Sequence, residues 1–236
     1  MTTGSHRQDL DRFYDFLARL ERKVGLRQLK DCHGRMGWPR RGVYFFFEPG
    51  EFRTDGVTPR VVRVGTHAVS ALSKAALWTR LRQHRGRRAG GGHHRASVFR
   101  KLVGAALLSR EENLGPAPPS WGIGNSASRD VCDGEAHIEE AVSRHIGAMP
   151  FLCVSADDDP GRSSIRSAIE INTIGLLSCC SPTGRSADPP SADWLGRHCT
   201  RWDRVQRSGL WNNDYVDASY DPSFFDILEQ GVAMTK

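Results

Sequence analysis

The chain has 236 residues, of which 39% are hydrophobic and 25% are charged, and its mean hydropathy is −0.48. These values are typical of a soluble globular protein with one elaborated domain, and no apolar run approaches the roughly 20 residues of a membrane span, so an embedded protein is excluded. The formal net charge of +6 favours a polyanionic partner, because basic side chains displace counterions from phosphates.

The first predicted element is an amphipathic helix over residues 8–24, in which apolar side chains recur at helical intervals between charged ones. We expect it to pack on the core as an added element. A turn-rich stretch follows, and two β-rich segments come next, at 43–48 and 60–64. Because residues 49–59 contain Pro-Gly and Asp-Gly turns, these segments are predicted to form an antiparallel hairpin with a long loop.

A helix is predicted over residues 70–83, with Leu77, Trp78 and Leu81 available for packing. Arg80 and His84 are one turn apart and therefore point the same way. A basic loop over 86–92 follows this helix.

Positive charge is concentrated between residues 80 and 110, where the chain has no acidic residue. Such a segment repels itself unless an anion lies against it, and we interpret it as a phosphate-facing surface. Two alternatives are a solvated basic loop and a docking surface for an acidic protein. The cations are Arg80, Arg82, Arg85, Arg87, Arg88, Arg95, Arg100, Lys101 and Arg110.

The second half of the chain is predicted to contain helices at 99–108 and 135–146, a third strand at 151–155, and a helix from Ser163, its cap, to residue 177. A long loop covers 115–133 and another covers 181–193. The tail beyond residue 194 is rich in aromatic residues, so we expect it to be packed.

Glu170 lies between two isoleucines in the nearly all-apolar helix 163–177. A carboxylate in such surroundings is costly unless a metal ion or a guanidinium group meets it. The alternative is a narrow exposed face or an ordinary salt bridge.

The six cysteines have no CxxC pair and no regular spacing, which predicts a reduced, intracellular protein, and we expect a cytoplasmic one. A zinc site drawn from Cys32, His33, Cys132, His137 or Cys199 is an alternative, although nothing has zinc-finger spacing.

The order of these features resembles the GIY-YIG nuclease family, and most closely its restriction-type members. Gly42-Val43-Tyr44 stands as the first motif, and Arg63-Val64-Gly65 stands as an altered second motif in which Arg63 replaces a tyrosine. The resemblance implies an α+β fold with a small three-stranded antiparallel or mixed sheet flanked by helices. It covers residues 42–177, and we predict an N-terminal extension (1–40), a nuclease domain (41–180) with an insertion at 86–148, and a C-terminal extension (181–236).

The resemblance also implies catalytic roles for Tyr44, Arg80, His84 and Glu170. Glu170 would bind Mg²⁺, for which Mn²⁺ can substitute, and Arg80 would stabilise the transition state of phosphodiester hydrolysis. Tyr44 would orient or deprotonate the attacking water with the help of His84. The implied function is a metal-dependent DNA endonuclease of restriction, defence or repair type.

Further side chains are assigned to binding. Asn172 is a supporting residue that would fix the helix or the water shell of the metal, and residues 211–214 are a group that could pack near the site. RNA is an alternative substrate. Cleavage of both DNA strands would need a homodimer or two successive binding events. Because the second-motif tyrosine is absent, the rival reading is a catalytically silent nucleic-acid-binding module on the same fold. The nucleic-acid-binding candidates are Arg63, Arg82, Arg85, His93 and Arg95.

Overall fold

A computed structural model describes residues 3–67, 76–159, 161, 164–182 and 188–236 and has an α+β fold. The strands are β1 (Arg27–Gln28), β2 (Gly42–Phe52), β3 (Pro59–Gly65) and β4 (Pro150–Ser155). They form one antiparallel sheet in the order β1-β4-β2-β3. The helices within the described residues are α1 (Thr3–Val24), α2 (Leu77–Arg85), α3 (Val98–Arg110), α4 (Arg129–Gly134), α5 (Ala136–Ala148), α6 (Ile165–Leu177), α7 (Asp203–Ser208) and α8 (Phe224–Met234).

The fold class is confirmed, and so are the hairpin β2–β3, the later strand β4 and helices α1, α3, α5 and α6. The sheet has four strands rather than three, because the two residues of β1 also pair with β4. Two polar residues carry no alternation from which a strand could be predicted. The loop expected at 115–133 ends in α4, which Ser128 caps.

The start of the helix predicted at 70–83 falls partly on residues 68–75, which lie outside the described residues. From Leu77 onward the prediction agrees with α2. The predicted cap Ser163 also lies outside them. In the structure Ser164 caps α6 by accepting a hydrogen bond from the Ser167 amide.

Both faces of the sheet are buried, because β2 alternates large apolar side chains on its two sides. Tyr44 and Phe46 face a first core that α2, α3 and α5 share with Trp194 and Trp211. Phe45 and its neighbours on the other side face a second core with α1, α6 and α8. The second core therefore joins elements of all three predicted segments, and the division at residues 40 and 180 stays a prediction.

A β-bulge in the hairpin changes where β3 directs its side chains. Phe46 pairs with Arg63, but Phe47 pairs with Val61, so Val62 is the extra residue of the bulge. Regular alternation would send Val62 and Arg63 to opposite faces, whereas the bulge lets both approach the first core. Val62 is part of that core, and the Arg63 guanidinium lies 5.6 Å from the centre of the Phe99 ring.

The C-terminal segment closes the outer edge of β3. The Trp211 amide donates to the Val62 carbonyl at 2.7 Å, and the Asn212 side chain bonds both the amide and the carbonyl of Val64, at 3.2 and 2.9 Å. The same tail is largely packed, as predicted, although Tyr215 is 48% exposed. In the part of the chain that the structure describes, no helix is both long and apolar enough to cross a membrane.

A buried carboxylate fixes this segment to the sheet. Glu48 of β2 accepts hydrogen bonds from the indoles of Trp194 and Trp211 at 2.9 and 2.8 Å, and from the His145 ring at 2.9 Å. One side chain thus joins β2, α5 and two parts of the C-terminal region.

Candidate active site

A polar cavity of about 1040 Å³ opens beside the end of β3. Its walls come from the end of β3, from α2, from α6 and from the segment that follows Asn212. Its polar lining includes Arg63, Thr66, Arg80, Glu170, Asn212 and Asp214. Three candidate residues, Arg63, Arg80 and Glu170, therefore meet at one cavity, and residues 212–214 do lie near it.

Glu170 is a half-buried carboxylate held at the wall of this cavity by α6. Its Oε1 accepts a hydrogen bond from the Thr66 amide at 3.2 Å. Burial raises the pKa of Glu170, and Asp214 adds to the rise, while Arg63, the Thr66 amide and Arg80 act in the opposite direction. A carboxylate that is partly desolvated and faces an open polar space suits a hydrated cation.

The donor set fits magnesium better than zinc. Mg²⁺ keeps several waters and needs only one or two protein carboxylates, and Glu170 and Asp214 line the same cavity. Within the described residues no three His, Cys, Asp or Glu side chains come together as metal ligands. The zinc alternative thus gains no support from this part of the chain.

Arg63 places a buried guanidinium at the cavity. Its Nη1 donates to the Trp211 carbonyl, but its Nε has no hydrogen-bond partner among the described residues. A buried donor without a partner is costly, and the positive charge of Arg63, which lines the cavity, favours an anion there. The arginine that replaces the motif tyrosine is therefore well placed to contact a phosphate.

Arg80 reaches the same cavity from α2. Its Nη1 donates to the Gln83 side chain and to the Ala96 carbonyl, each at 3.2 Å. Both partners are neutral, so the charge of Arg80 remains available to an anion. Arg63 and Arg80 together present two positive charges to the cavity, beside the carboxylates of Glu170 and Asp214.

Tyr44 and His84 form a buried pair next to the cavity. The Tyr44 hydroxyl lies 2.8 Å from His84 Nε2, and His84 Nδ1 lies 2.8 Å from the Ser97 hydroxyl. All three side chains are at most 1% exposed. Burial holds the pKa of His84 well below its ordinary value, and Arg80, Arg63 and Arg100 add to the effect, so His84 is neutral at pH 7.

The positions of the protons in the hydrogen-bonded series Tyr44–His84–Ser97 limit its chemistry. Ser97 Oγ already accepts the Arg100 amide, so its own hydroxyl proton has His84 Nδ1 as its acceptor among the described residues. That arrangement places the His84 proton on Nε2, from which it is donated to the Tyr44 oxygen, and it leaves the Tyr44 hydroxyl proton without an acceptor among the described residues. In the other tautomer Tyr44 donates to His84 and the Ser97 proton is left unpaired. A proton can thus move between Tyr44 and His84 only if Ser97 turns.

Gly65 determines where the Tyr44 hydroxyl can lie. The two residues pair across the hairpin, and a Cβ on Gly65 would come within 2.3 Å of the Tyr44 hydroxyl oxygen. The second-motif glycine therefore makes room for the first-motif tyrosine. Tyr44 is fully buried and is not among the residues that line the cavity, although Thr66, directly after Gly65, is.

The remaining cations that the sequence singled out are not at this cavity. Arg95 donates to both carboxylate oxygens of Glu135, at 2.6 and 3.0 Å, and Arg85 donates to the Cys32 carbonyl. Arg82 and His93 are exposed side chains away from the cavity lining. Of these four, Arg95 is occupied by an internal ion pair, and we do not propose it as a phosphate contact.

Asn172 holds the C-terminal segment to α6. Its Nδ2 donates to the Ala168 carbonyl at 2.8 Å and its Oδ1 accepts the Asp221 amide at 2.7 Å. Both ends of the amide are thus used by backbone groups, which favours the helix-fixing role among the two that the sequence suggested.

Sequence reasoning did not single out Ser97, Thr66 or Tyr215. Tyr215 lines the cavity and has a left-handed backbone, with φ of 63°. Thr66 acts through its backbone amide, which no residue type reveals. Ser97 could have been noticed as a cap at the start of the predicted helix 99–108, but its contact with His84 depends on tertiary packing.

The fold and the cavity define a small α+β protein that presents guanidinium groups and carboxylates to one polar cavity, beside a buried tyrosine–histidine pair. A family model for the GIY-YIG domain matches residues 4–236. The chain belongs to the GIY-YIG domain family, which indicates a nuclease. No curated protein and no solved structure matches it.

Proposed function

We propose that this protein is a metal-dependent endonuclease that hydrolyses phosphodiester bonds in DNA, of restriction, defence or repair type. The observation that carries the proposal is the meeting of Glu170, Arg63 and Arg80 at one cavity, next to the Tyr44–His84 pair. A phosphodiester is anionic, so its hydrolysis needs cations around the phosphate and a group that handles the proton of water.

Each side chain has a distinct part. Arg80 and Arg63 hold the phosphate, and Glu170 would hold the divalent ion. That ion, when bound, polarises the phosphoryl oxygen and stabilises the leaving oxygen. Tyr44 orients or deprotonates the attacking water, and neutral His84 exchanges a proton with Tyr44.

The test compares plasmid cleavage by the parent and by Glu170→Gln in Mg²⁺ and in Mn²⁺. We expect the variant to lose cleavage and to keep DNA binding, since the neutral amide lacks the negative charge with which a carboxylate holds Mg²⁺. Glu21→Gln, a change of an exposed glutamate on α1, is the control and should cleave like the parent. Undiminished cleavage by Glu170→Gln would remove Glu170 from the mechanism.

The second candidate function is a silent nucleic-acid-binding module. One observation favours it: Tyr44 is fully buried, while an arginine stands where the other motif tyrosine would supply a hydroxyl. Absence of cleavage by the parent on several DNA and RNA forms in both metals, with binding intact, would select this candidate.

A further inference from the structure

A second concentration of positive charge lies on the other side of α2 from the cavity. Five cationic side chains and one carboxylate, Glu140, line a surface groove of about 560 Å³, which we call the basic groove. The cations come from three places in the sequence: the segment after β1, the end of α2 with the loop that follows it, and α5. They are Lys30, Arg85, Arg87, Arg88 and Arg144.

Their charges are not neutralised within the described part of the chain. None of the five cations is in an ion pair there, and Lys30, Arg87, Arg88 and Arg144 are exposed. Burial lowers the pKa of Arg85, and repulsion from Arg88 and Arg82 lowers it further, while Cys32 acts in the opposite direction. One exposed carboxylate cannot balance five positive charges.

The loop that carries Arg87 and Arg88 is held in place by hydrogen bonds. The Arg87 amide donates to the Gly91 carbonyl and the Gly90 amide donates to the Arg87 carbonyl, at 3.0 and 3.1 Å. The Ser143 hydroxyl also donates to Gly91, and it accepts from the buried Arg100. The positive charges therefore lie on a backbone that is already ordered, so binding of an anion does not carry the entropic cost of ordering the loop.

Two other cations of the same basic region form internal ion pairs, in contrast to those of the basic groove. Arg95 and Arg100 are matched by Glu135 and Glu139, so these two cations are neutralised internally. The described part of the chain leaves the cations of the basic groove unmatched. An external anion is the ligand that this pattern fits.

We propose that the basic groove binds the phosphate backbone of the nucleic acid whose scissile phosphate occupies the cavity; the identity of this ligand rests on the proposed function. Arg80 lines the cavity and Arg85 lines the groove on the same helix, about 7.5 Å apart along its axis. Even with the width of a helix, about 10 Å, one turn of duplex, about 34 Å long, can reach both.

The test measures the salt dependence of DNA binding in EDTA, with a fluorescent 20-bp duplex as probe and the full chain as protein. Arg88→Gln/Arg144→Gln removes one charge from the loop and one from α5. Two lost phosphate contacts should lower the log–log slope of affinity against salt by up to about 1.8, at about 0.9 each. Arg88→Lys/Arg144→Lys keeps the charges and should keep the slope.

The matched control is Arg7→Gln/Arg22→Gln, which removes the same charge from exposed positions on α1. It should bind with the slope of the parent. A slope for Arg88→Gln/Arg144→Gln equal to that of the control would overturn the proposal, and so would a parent that does not bind nucleic acid, which would point to an acidic protein instead. Melting curves check that each variant is folded.

Plasmid cleavage by the same parent preparation in Mg²⁺ separates the two proposals. A parent that does not cleave, but whose slope falls on substitution of the groove, supports the groove and contradicts the enzyme. A parent that cleaves, while the groove variant keeps its slope, contradicts only the groove.

Discussion

At the scale of single residues, the Tyr44 hydroxyl is the group on which an active enzyme depends most. It is buried, packs against Gly65 and has His84 as its partner. In Tyr44→Phe the ring still fills its site and only the hydroxyl is lost. We expect single-turnover cleavage to fall by about 100-fold or more, the contribution of a positioned acid or base.

Urea unfolding should show that Tyr44→Phe remains folded, with a cost of about 1–3 kcal/mol for the unpaired His84 nitrogen. Phe46→Leu, a change in the same strand and on the same face, serves as a control for packing alone. Parental cleavage rates in Tyr44→Phe would exclude the phenol from the reaction.

Ser97 is expected to act through His84. Ser97→Ala removes the hydroxyl that bonds His84 Nδ1 and also the cap of α3, so it should cost about 1 kcal/mol of stability. If Ser97 also orients the imidazole, cleavage should fall by about 10-fold, as for other partners that orient a histidine, and its pH profile should shift. Ser97→Thr keeps a hydroxyl and should restore both properties. A loss of stability with an unchanged rate and pH profile would show that Ser97 is only a cap.

How much of the site the sequence could predict depends on how local each relation is. Tyr44, Arg80, His84 and Glu170 follow from motifs that need only the order of strands and helices. Asp214 and Tyr215 reach the cavity from a distant segment, and no periodicity encodes that approach.

The reading of the basic region shows the same limit. The absence of acids between residues 80 and 110 indicated an external anion for the whole run, yet Arg95 meets Glu135, the residue before α5, and Arg100 meets Glu139 of α5. A run of charge in sequence does not show which of its members the fold neutralises.

At the scale of elements, α2 is the helix that connects the cavity with the Tyr44–His84 pair. Arg80 lies in the cavity wall, and His84, one turn later, is fully buried against Tyr44. The four-residue spacing places both side chains on one face of the helix, as the sequence predicted.

Arg80→Lys tests what the guanidinium supplies beyond its charge. Lysine keeps the positive charge but loses the planar fork that matches a phosphate, so we expect turnover to fall by about 100-fold. Binding to DNA should change little, because the Coulomb attraction remains. Arg82→Lys, at an exposed position of the same helix, is the control. If Arg80→Lys cleaved as fast as Arg82→Lys, Arg80 would be a general anchor for phosphate.

At the scale of the whole molecule, Glu48 connects β2, α5 and the C-terminal region that forms one wall of the cavity. Burial alone would raise its pKa, but the hydrogen bonds from His145, Trp211 and Trp194 hold the pKa of Glu48 below its ordinary value. A carboxyl group with a lowered folded pKa stabilises the protein above its unfolded pKa, and this contribution is lost as the pH falls through the folded value.

Glu48→Gln should therefore lower the free energy of unfolding at pH 7 by about 2 kcal/mol or more. The substitution replaces charged hydrogen bonds with neutral ones, and its N–H₂ group faces the N–H donors that Glu48 accepts from. The difference between parent and variant should narrow as the pH drops below about 4, because the unfolded chain then binds a proton that the folded Glu48 still resists. Urea titrations at pH 7 and at pH 3.5 measure both values, with exposed Glu21→Gln as the reference. A difference that is equal at the two pH values would contradict the ionic role of Glu48.

The closure of β3 by Trp211 and Asn212 bears on how two DNA strands would be reached. With that edge covered, and with only two residues in the strand at the opposite edge, the sheet leaves little backbone on which another copy could extend it. Extension of the sheet is therefore not a route by which two copies would pair, and each copy is a unit with a single cavity of this kind among the described residues. For such a unit acting alone, the opposite strand is reached only after release and reorientation, so double-strand scission becomes two events separated in time.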